Sequence, residues 1–273
     1  MYVQISSCAI IKDMNISSIR AFVQATLLQE KAATAKMASN DNLALATYEA
    51  RDEPGDISYV LFDRNMFVHY IVQEVRKIAK EENESVPDII EELGYENLLK
   101  DRMTQYATKF VMGTIDTEKA WGGPSNDASM VHMPAASKGY GPLMYDIAMA
   151  AAGELMPDRQ PGVSKSAQQV WKYYKEKRPD VVATPLDDRH NPQTPQKTDD
   201  AIVHSTGKEN FGNFLDSSYH LKGKGPDVKG LTASFERLEK YLDWNLNIST
   251  QDLMDILWTS AEAFYDVRHG TEN

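Results

Sequence analysis

The most restrictive feature of the chain is the passage over residues 128–152. There a short apolar run, ASMVHMPA, meets a glycine loop, SKGYG, and then a run of helix formers, PLMYDIAMAAA. Gly139 and Gly141 permit backbone angles that other residues avoid. Pro142 suits the first helical position, where its missing N–H is not needed. Leu143, Ile147 and Ala150 then recur at helical spacing. The order strand, glycine loop, helix calls for a mixed α/β chain. A helix N-terminus opened in this way presents N–H donors and the positive end of a dipole, which suits an anion such as phosphate. The alternative is a glycine turn that only starts a helix.

A second unit of the same order follows. ELMPDR supplies a short strand and turn, and Ser164 caps a helix carrying Ala167, Val170, Trp171 and Tyr174 that stops at Pro179. Upstream, residues 2–11 have a β-branched strand pattern, and Ile19, Phe22, Val23 and Leu27 an amphipathic helical one. ISYVLFD, within residues 47–63, is the next strand. Phe67, Ile71, Val75 and Ile78 mark one helix face from Asn65, and a helix opening near Pro87 carries Ile89, Ile90 and Leu93. Leu98, Met103, Tyr106 and Phe110 mark a helix over residues 97–110. Around Trp121 the chain turns to loop. Residues 184–208 have the composition of an extended loop, followed by helices over 231–246 and 250–267.

With 273 residues the chain is long enough to bury a substantial core. A net charge of −11 argues against a broad surface for nucleic-acid phosphates. The single cysteine, Cys8, excludes an intrachain disulfide and a multi-cysteine zinc site. No segment reaches the 18 or so apolar residues of a membrane span. The opening MYVQISSCAIIKDM lacks the basic start and apolar run of a secretory signal. The expectation is a soluble cytoplasmic protein with no membrane partner.

Residues 129–181 resemble the Gcn5-related N-acetyltransferase (GNAT) superfamily, in which a strand enters a loop of the form Gln/Arg-x-x-Gly-x-Gly/Ala and then a helix. The matching run is Ala136-Ser137-Lys138-Gly139-Tyr140-Gly141. The family's later helix, with an Asn-x-x-Ala-x-x-Leu-Tyr flavour, is matched by Ser164-Lys165-Ser166-Ala167-Gln168-Gln169-Val170-Trp171. Residues 138–200 are also similar in wording to bacteriophage acetyltransferase-like proteins, which implies life in a host cytoplasm or in a virion.

The resemblance implies an α/β (α+β) fold with a GNAT-like central sheet and helical additions at both ends. The parts would be a divergent segment 1–127, an acyl-coenzyme-A-binding core 128–183 and a loop with closing helices 184–273. It implies acetyl-coenzyme A or another acyl-coenzyme A as cofactor. Lys138, Gly139, Tyr140, Gly141 and Leu143 would face its pyrophosphate, and backbone from Val131 to Met133 would face pantetheine. An amine acceptor would attack the thioester carbonyl, with His132, Asp158 or a water as base and the strand's N–H groups polarising the carbonyl. Two departures stand out. The family's Gln/Arg is Ala136, with Lys138 nearby. The tyrosine that often protonates the leaving thiolate falls on Trp171, leaving Tyr173 or Tyr174 as substitutes on a rotated helix. The family also expects a strand, one or two helices and then consecutive strands ahead of Ser129, whereas the chain's pattern there is strand, helix, strand, three helices. The rival reading is a non-catalytic protein of the same fold, a virion or head-assembly component with virion or self-association partners.

Other constellations favour structural readings. Asp187, Asp188, His190, Asp199, Asp200 and His204 match no ligand spacing, so a solvated acidic loop is expected and no metal site. His132 suits a satisfied cleft histidine as well as a base, and Asp158-Arg159 suits a turn ion pair. LKGKGPDVKG lacks the P-loop order and is expected to be a surface loop. Trp244, Trp258, Phe264 and Tyr265 form a core stripe or, in the assembly reading, a docking surface.

Overall fold

Two strands rich in apolar and β-branched residues, β1 (Leu43–Glu49) and β2 (Ile57–Asp63), pair antiparallel with Leu45 opposite Leu61. In the computed structural model the described residues are 42–49, 55–83, 95–119, 128–158, 163–185, 214–215, 217–238, 242 and 248–270. All of them belong to one compact unit, Asn42–Asn273. The sheet continues through β3 (Val111–Lys119), β4 (Ser129–Ala136), β5 (Leu155–Met156), β6 (Val181–Pro185) and β7 (Ser217–Leu221). Its order is β1-β2-β3-β4-β5-β7-β6. Every neighbouring pair is antiparallel except β4–β5.

Seven helices are described: α1 (Arg64–Glu82), α2 (Tyr95–Thr104), α3 (Ala107–Phe110), α4 (Gly141–Ala152), α5 (Lys165–Lys177), α6 (Val228–Glu236) and α7 (Thr250–His269). Asp63 caps α1 by accepting from the Met66 N–H at 3.0 Å, and its apolar face is the expected Phe67, Ile71, Val75 and Ile78. These side chains join Phe62, Leu99, Phe110, Ile256, Leu257 and Phe264 in the main core cluster. Ser249 and Asp252 close a reciprocal capping box at the start of α7. The helix lies along α2, β3 and β4, while α4 packs on β3, β4 and β7. Among the described residues no helix is long and apolar enough to cross a membrane.

The mixed fold class stands. Segment 1–127 contributes β1, β2 and β3 to the same sheet as well as helices. The β3–β4 ladder crosses the boundary at 127/128, and the β6–β7 ladder crosses that at 183/184. The helix expected over 97–110 breaks at Gln105–Tyr106. The break lets Tyr106 donate to the buried Glu74 carboxylate at 2.7 Å and stack on Tyr70 at 4.4 Å. The helix expected over 231–246 runs instead from Val228 to Glu236, because Asp227 caps it by accepting from the Gly230 N–H. The stripe on α7 is partly core. Trp258 and Tyr265 are half-buried against the main cluster, with Trp258 beside Tyr48 at 5.2 Å. The features expected at 2–11, 15–27, 85–94, around Trp121 and at 187–204, and Trp244, lie outside the described residues.

Gly113 in β3 marks how closely α4 approaches the sheet. A Cβ there would come within 2.6 Å of Met144 Cγ and 3.2 Å of the Ala135 carbonyl oxygen. Gly113→Ala is therefore expected to destabilise the fold by about 1–3 kcal/mol. Thermal unfolding checks this, and Met144→Ala in the same chain is expected to recover part of the loss.

Candidate functional site

The site begins where β4 leaves β5. The two strands run parallel but pair only at Ser129–Leu155 and Met130–Met156. On its other side β4 carries a bulge. Thr114 lies opposite Ala135 but Asp116 opposite His132, so β4 holds one residue more than β3 over that stretch. The bulge is centred on Met133, at φ 44° and 51% exposed, and on Pro134, which has no N–H to give a ladder. From Val131 onward no described strand pairs with the β5-facing edge of β4. Each of the two diverging parallel strands leads to a helix, and a cleft at such a point is where open α/β sheets hold ligands.

Two hollows occupy the opening. The larger, about 630 Å³, lies over the glycine loop and the starts of α4 and α5, with Lys138, Gly139, Gly141, Ser164, Ser166 and Arg268 in its wall. The smaller, about 260 Å³, is lined by Val131, His132, Met133, Asp158, Trp171 and Tyr265 among others. Pro134, Tyr145, Ser164, Ala167 and His269 belong to both walls, so the hollows are two ends of one cleft. A further depression of about 700 Å³ lies between the end of α4 and the loop Gly223–Asp227. That depression faces the negative end of a helix dipole, and its Asp227 is engaged as the α6 cap. The basic loop of the sequence is thus a cover for a helix end, not a phosphate cradle.

The glycine loop is a tight turn into α4. Gly139 adopts φ 92°, a conformation that disfavours a side chain, and the Tyr140 N–H donates to the Ser137 carbonyl at 2.9 Å. The first N–H groups of α4 have no intrahelical acceptor by geometry. A Cβ on Gly141 would meet no atom within 4 Å, so backbone and ligand space adjoin there. Arg268 on α7 donates to Ser137 Oγ at 3.0 Å and brings a second cation beside Lys138. Leu143 is buried, so only its backbone is available to the cleft, and Tyr140 is absent from the cavity walls.

Tyr173 and Tyr174 do not reach the cleft. Tyr174 is buried at the α4–α5 junction, 2.7 Å from the Pro142 carbonyl and 2.8 Å from Asp146 Oδ1. A phenol has one proton to give, so Tyr174 shares it between the Pro142 carbonyl and the Asp146 carboxylate. Burial raises the Asp146 carboxyl, opposed by Arg178, whose Nη1 lies 3.2 Å away. Tyr173 packs on Tyr174 at 5.9 Å. Trp171 is buried edge-on to Tyr145 at 4.9 Å.

Tyr145 is the residue that sequence reasoning missed. It is 3% exposed, lines both ends of the cleft, and its Oη has no hydrogen-bond partner among the described residues. A buried hydroxyl in that state is short of about 1–3 kcal/mol of hydrogen bonding. Burial holds its phenol well above the usual range, so it stays protonated. Its only signal in the sequence was a tyrosine in the first turns of the helix that opens from the glycine loop.

His132 lies between two carboxylates, with Nε2 2.8 Å from Glu118 and Nδ1 3.2 Å from Asp158. Asp116 stands opposite His132 in the β3–β4 register. Burial raises the Asp116 carboxyl, while Ser58 and His132 pull it down. His269, in the last turn of α7, packs against Tyr265 with ring centres 4.1 Å apart. Its Nε2 is closed off from solvent without a hydrogen-bond partner. Among the described residues no group of His, Cys, Asp and Glu is arranged to hold a metal ion.

A carboxyl raised on folding stabilises the protein at low pH, and that contribution is lost as pH rises through its folded value. Asp116 is such a group. Asp116→Asn is therefore expected to lose less thermal stability than the unmodified chain as pH rises from about 4 toward neutrality. Melting curves across that window check it, and identical slopes for both proteins would refute it.

Compared with known proteins, the chain matches no family model, no curated protein and no solved structure.

Proposed function

We propose that the chain is an acyl-coenzyme-A-dependent N-acyltransferase built on a GNAT-like central sheet. The observation that carries the reading is the edge of β4 that no described strand pairs, which runs from Val131 toward the glycine loop along the cleft. The pyrophosphate binds at the loop, held by the first N–H groups of α4, the helix dipole and Lys138. The amides of the pantetheine arm add to β4 from Val131 to Met133 as a short extra strand would. This brings the thioester to the end of the cleft that Tyr145 and His132 share.

There the amine nitrogen attacks the thioester carbonyl, the C–N bond forms, and the C–S bond breaks as the tetrahedral intermediate collapses. Tyr145 Oη, protonated and unpartnered, donates its proton to the leaving thiolate. The phenol that the family carries on the helix after β5 is thus supplied from α4, beside the tryptophan that replaces it. The second reading, a non-catalytic virion component of the same fold, is favoured by Trp171 alone and predicts binding without transfer.

Acetyl-coenzyme A at 100-fold excess over its dissociation constant is expected to stabilise the protein by about 2.7 kcal/mol. That is a rise of several degrees in melting temperature. Gly141→Trp places an indole in the cavity without a backbone clash, and is expected to abolish the rise while leaving the ligand-free melting temperature nearly unchanged. A flat titration of the unmodified chain would overturn the reading. Tyr145→Phe is expected to keep the acetyl-coenzyme A shift and to lower kcat by about 10²-fold or more. Unchanged kcat in that variant would remove Tyr145 from the mechanism.

A further inference from the structure

We propose that His269, on the last turn of the C-terminal helix, is the base that takes the proton from the attacking amine. The inference rests on the acyltransferase reading and assigns a residue outside both sequence motifs to its acceptor step. An amine nucleophile must lose a proton as the C–N bond forms, and the acceptor for it must stand within hydrogen-bond reach of the attacking nitrogen. His132 is set between two carboxylates, with Nε2 2.8 Å from Glu118 in no aligned hydrogen bond and Nδ1 3.2 Å from Asp158. A proton taken there is held by its own neighbours rather than at the junction of the two hollows. Asp158 is one of those carboxylates and is engaged with the same imidazole.

His269 is differently situated. It belongs to the wall of both hollows, so it stands where the anion end of the cleft meets the acceptor end. Its Nε2 has no hydrogen-bond partner among the described residues, so an amine N–H that reaches it by a turn of the ring, which lines the cleft, would complete it. Tyr265, one helical turn earlier, packs against the ring and fixes its plane. The imidazolium formed after proton transfer sits at the negative end of the α7 dipole. Arg268, its neighbour in sequence, is directed to Ser137 on the loop.

The titratable and charged groups sharing these walls are Lys138 from the loop, Tyr145 from α4, His132 from β4, Asp158 beyond β5, and Tyr265 and Arg268 from α7 itself. Asp116 on β3 and Asp266 on α7 act on Tyr265 from beside it. The balance of the step is complete. The amine proton goes to His269 Nε2, the Tyr145 proton goes to the thiolate, and water exchanges with both groups after release of coenzyme A.

The test uses the full chain, acetyl-coenzyme A, and n-butylamine as the probe acceptor, with release of the free thiol as the signal. His269→Gln is expected to keep the acetyl-coenzyme A melting shift and to lower kcat by about 10²-fold or more. It should also erase the acid limb of the kcat profile against pH. His132→Gln is expected to retain that limb, and added imidazole to restore part of the rate in His269→Ala. A ring-proton NMR signal absent from His269→Gln is expected to move when acetyl-coenzyme A binds the unmodified chain. Near-normal kcat with an intact acid limb in His269→Gln overturns the assignment and leaves the acyltransferase reading standing. So does loss of the limb in His132→Gln alone. An unmodified chain that neither binds acetyl-coenzyme A nor releases thiol overturns the parent reading, and this assignment with it.

Discussion

Everything functional in this molecule depends on the parting of two parallel strands. A parallel pair gives each strand a hydrogen-bonding edge that its neighbour must fill, and β5 fills that of β4 for only two residues. The departure is enforced on both sides. Pro157 follows β5 at once and has no N–H to offer β4. On β4 itself the bulge at Met133–Pro134 re-aims the strand away from the plane of its partner. An exposed edge of this kind usually invites another chain to pair with it. Here residues of α4, α5 and α7 flank it, so it opens into a cleft.

The cleft keeps its shape because the helices that flank it are tied together behind it. Tyr174 on α5 reaches across to Pro142 and Asp146 on α4, and Arg178 binds Asp146 and then Asp180 at the start of the turn into β6. Trp171 fills the space between α4 and β7, against Tyr145 on one side and Tyr219 on the other. The two helix starts are therefore tied directly to each other. The Trp171 indole has a positive role in this arrangement. It is the packing surface that holds the Tyr145 ring edge-on, and Tyr145 lines both hollows.

The parts of this architecture that were legible in the sequence were those with local signals. The glycine loop, the Ser164 cap, the α1 face and the bounds of α7 each follow from spacing and capping within one element. The missing strands lack such signals for identifiable reasons. β1, LALATYE, is half alanine and leucine, a composition that helices use as readily. β3 interrupts its alternation with Gly113 and Thr114, and the glycine is there for α4, nearly thirty positions away in the chain. β6 and β7 are five residues each and derive their strand character from one another. The site shows the same division. Gly139 and Lys138 could be found from the motif, whereas Tyr145 and His269 sit in ordinary helical sequence and become notable only because the fold leaves their polar atoms unpartnered.

The distribution of charge along the cleft explains how a chain of net charge −11 can hold an anion. One end gathers the N-terminal dipole of α4 with Lys138 and Arg268, the other gathers Glu118 and Asp158 around His132. Charges so placed set up a field along the cleft. Under the acyltransferase reading proposed above, a long ligand with a phosphate-bearing head would lie with its head at the glycine loop and its tail toward His132. A cationic amine would approach from the opposite mouth, and the two would meet where Tyr145 and His269 line the wall.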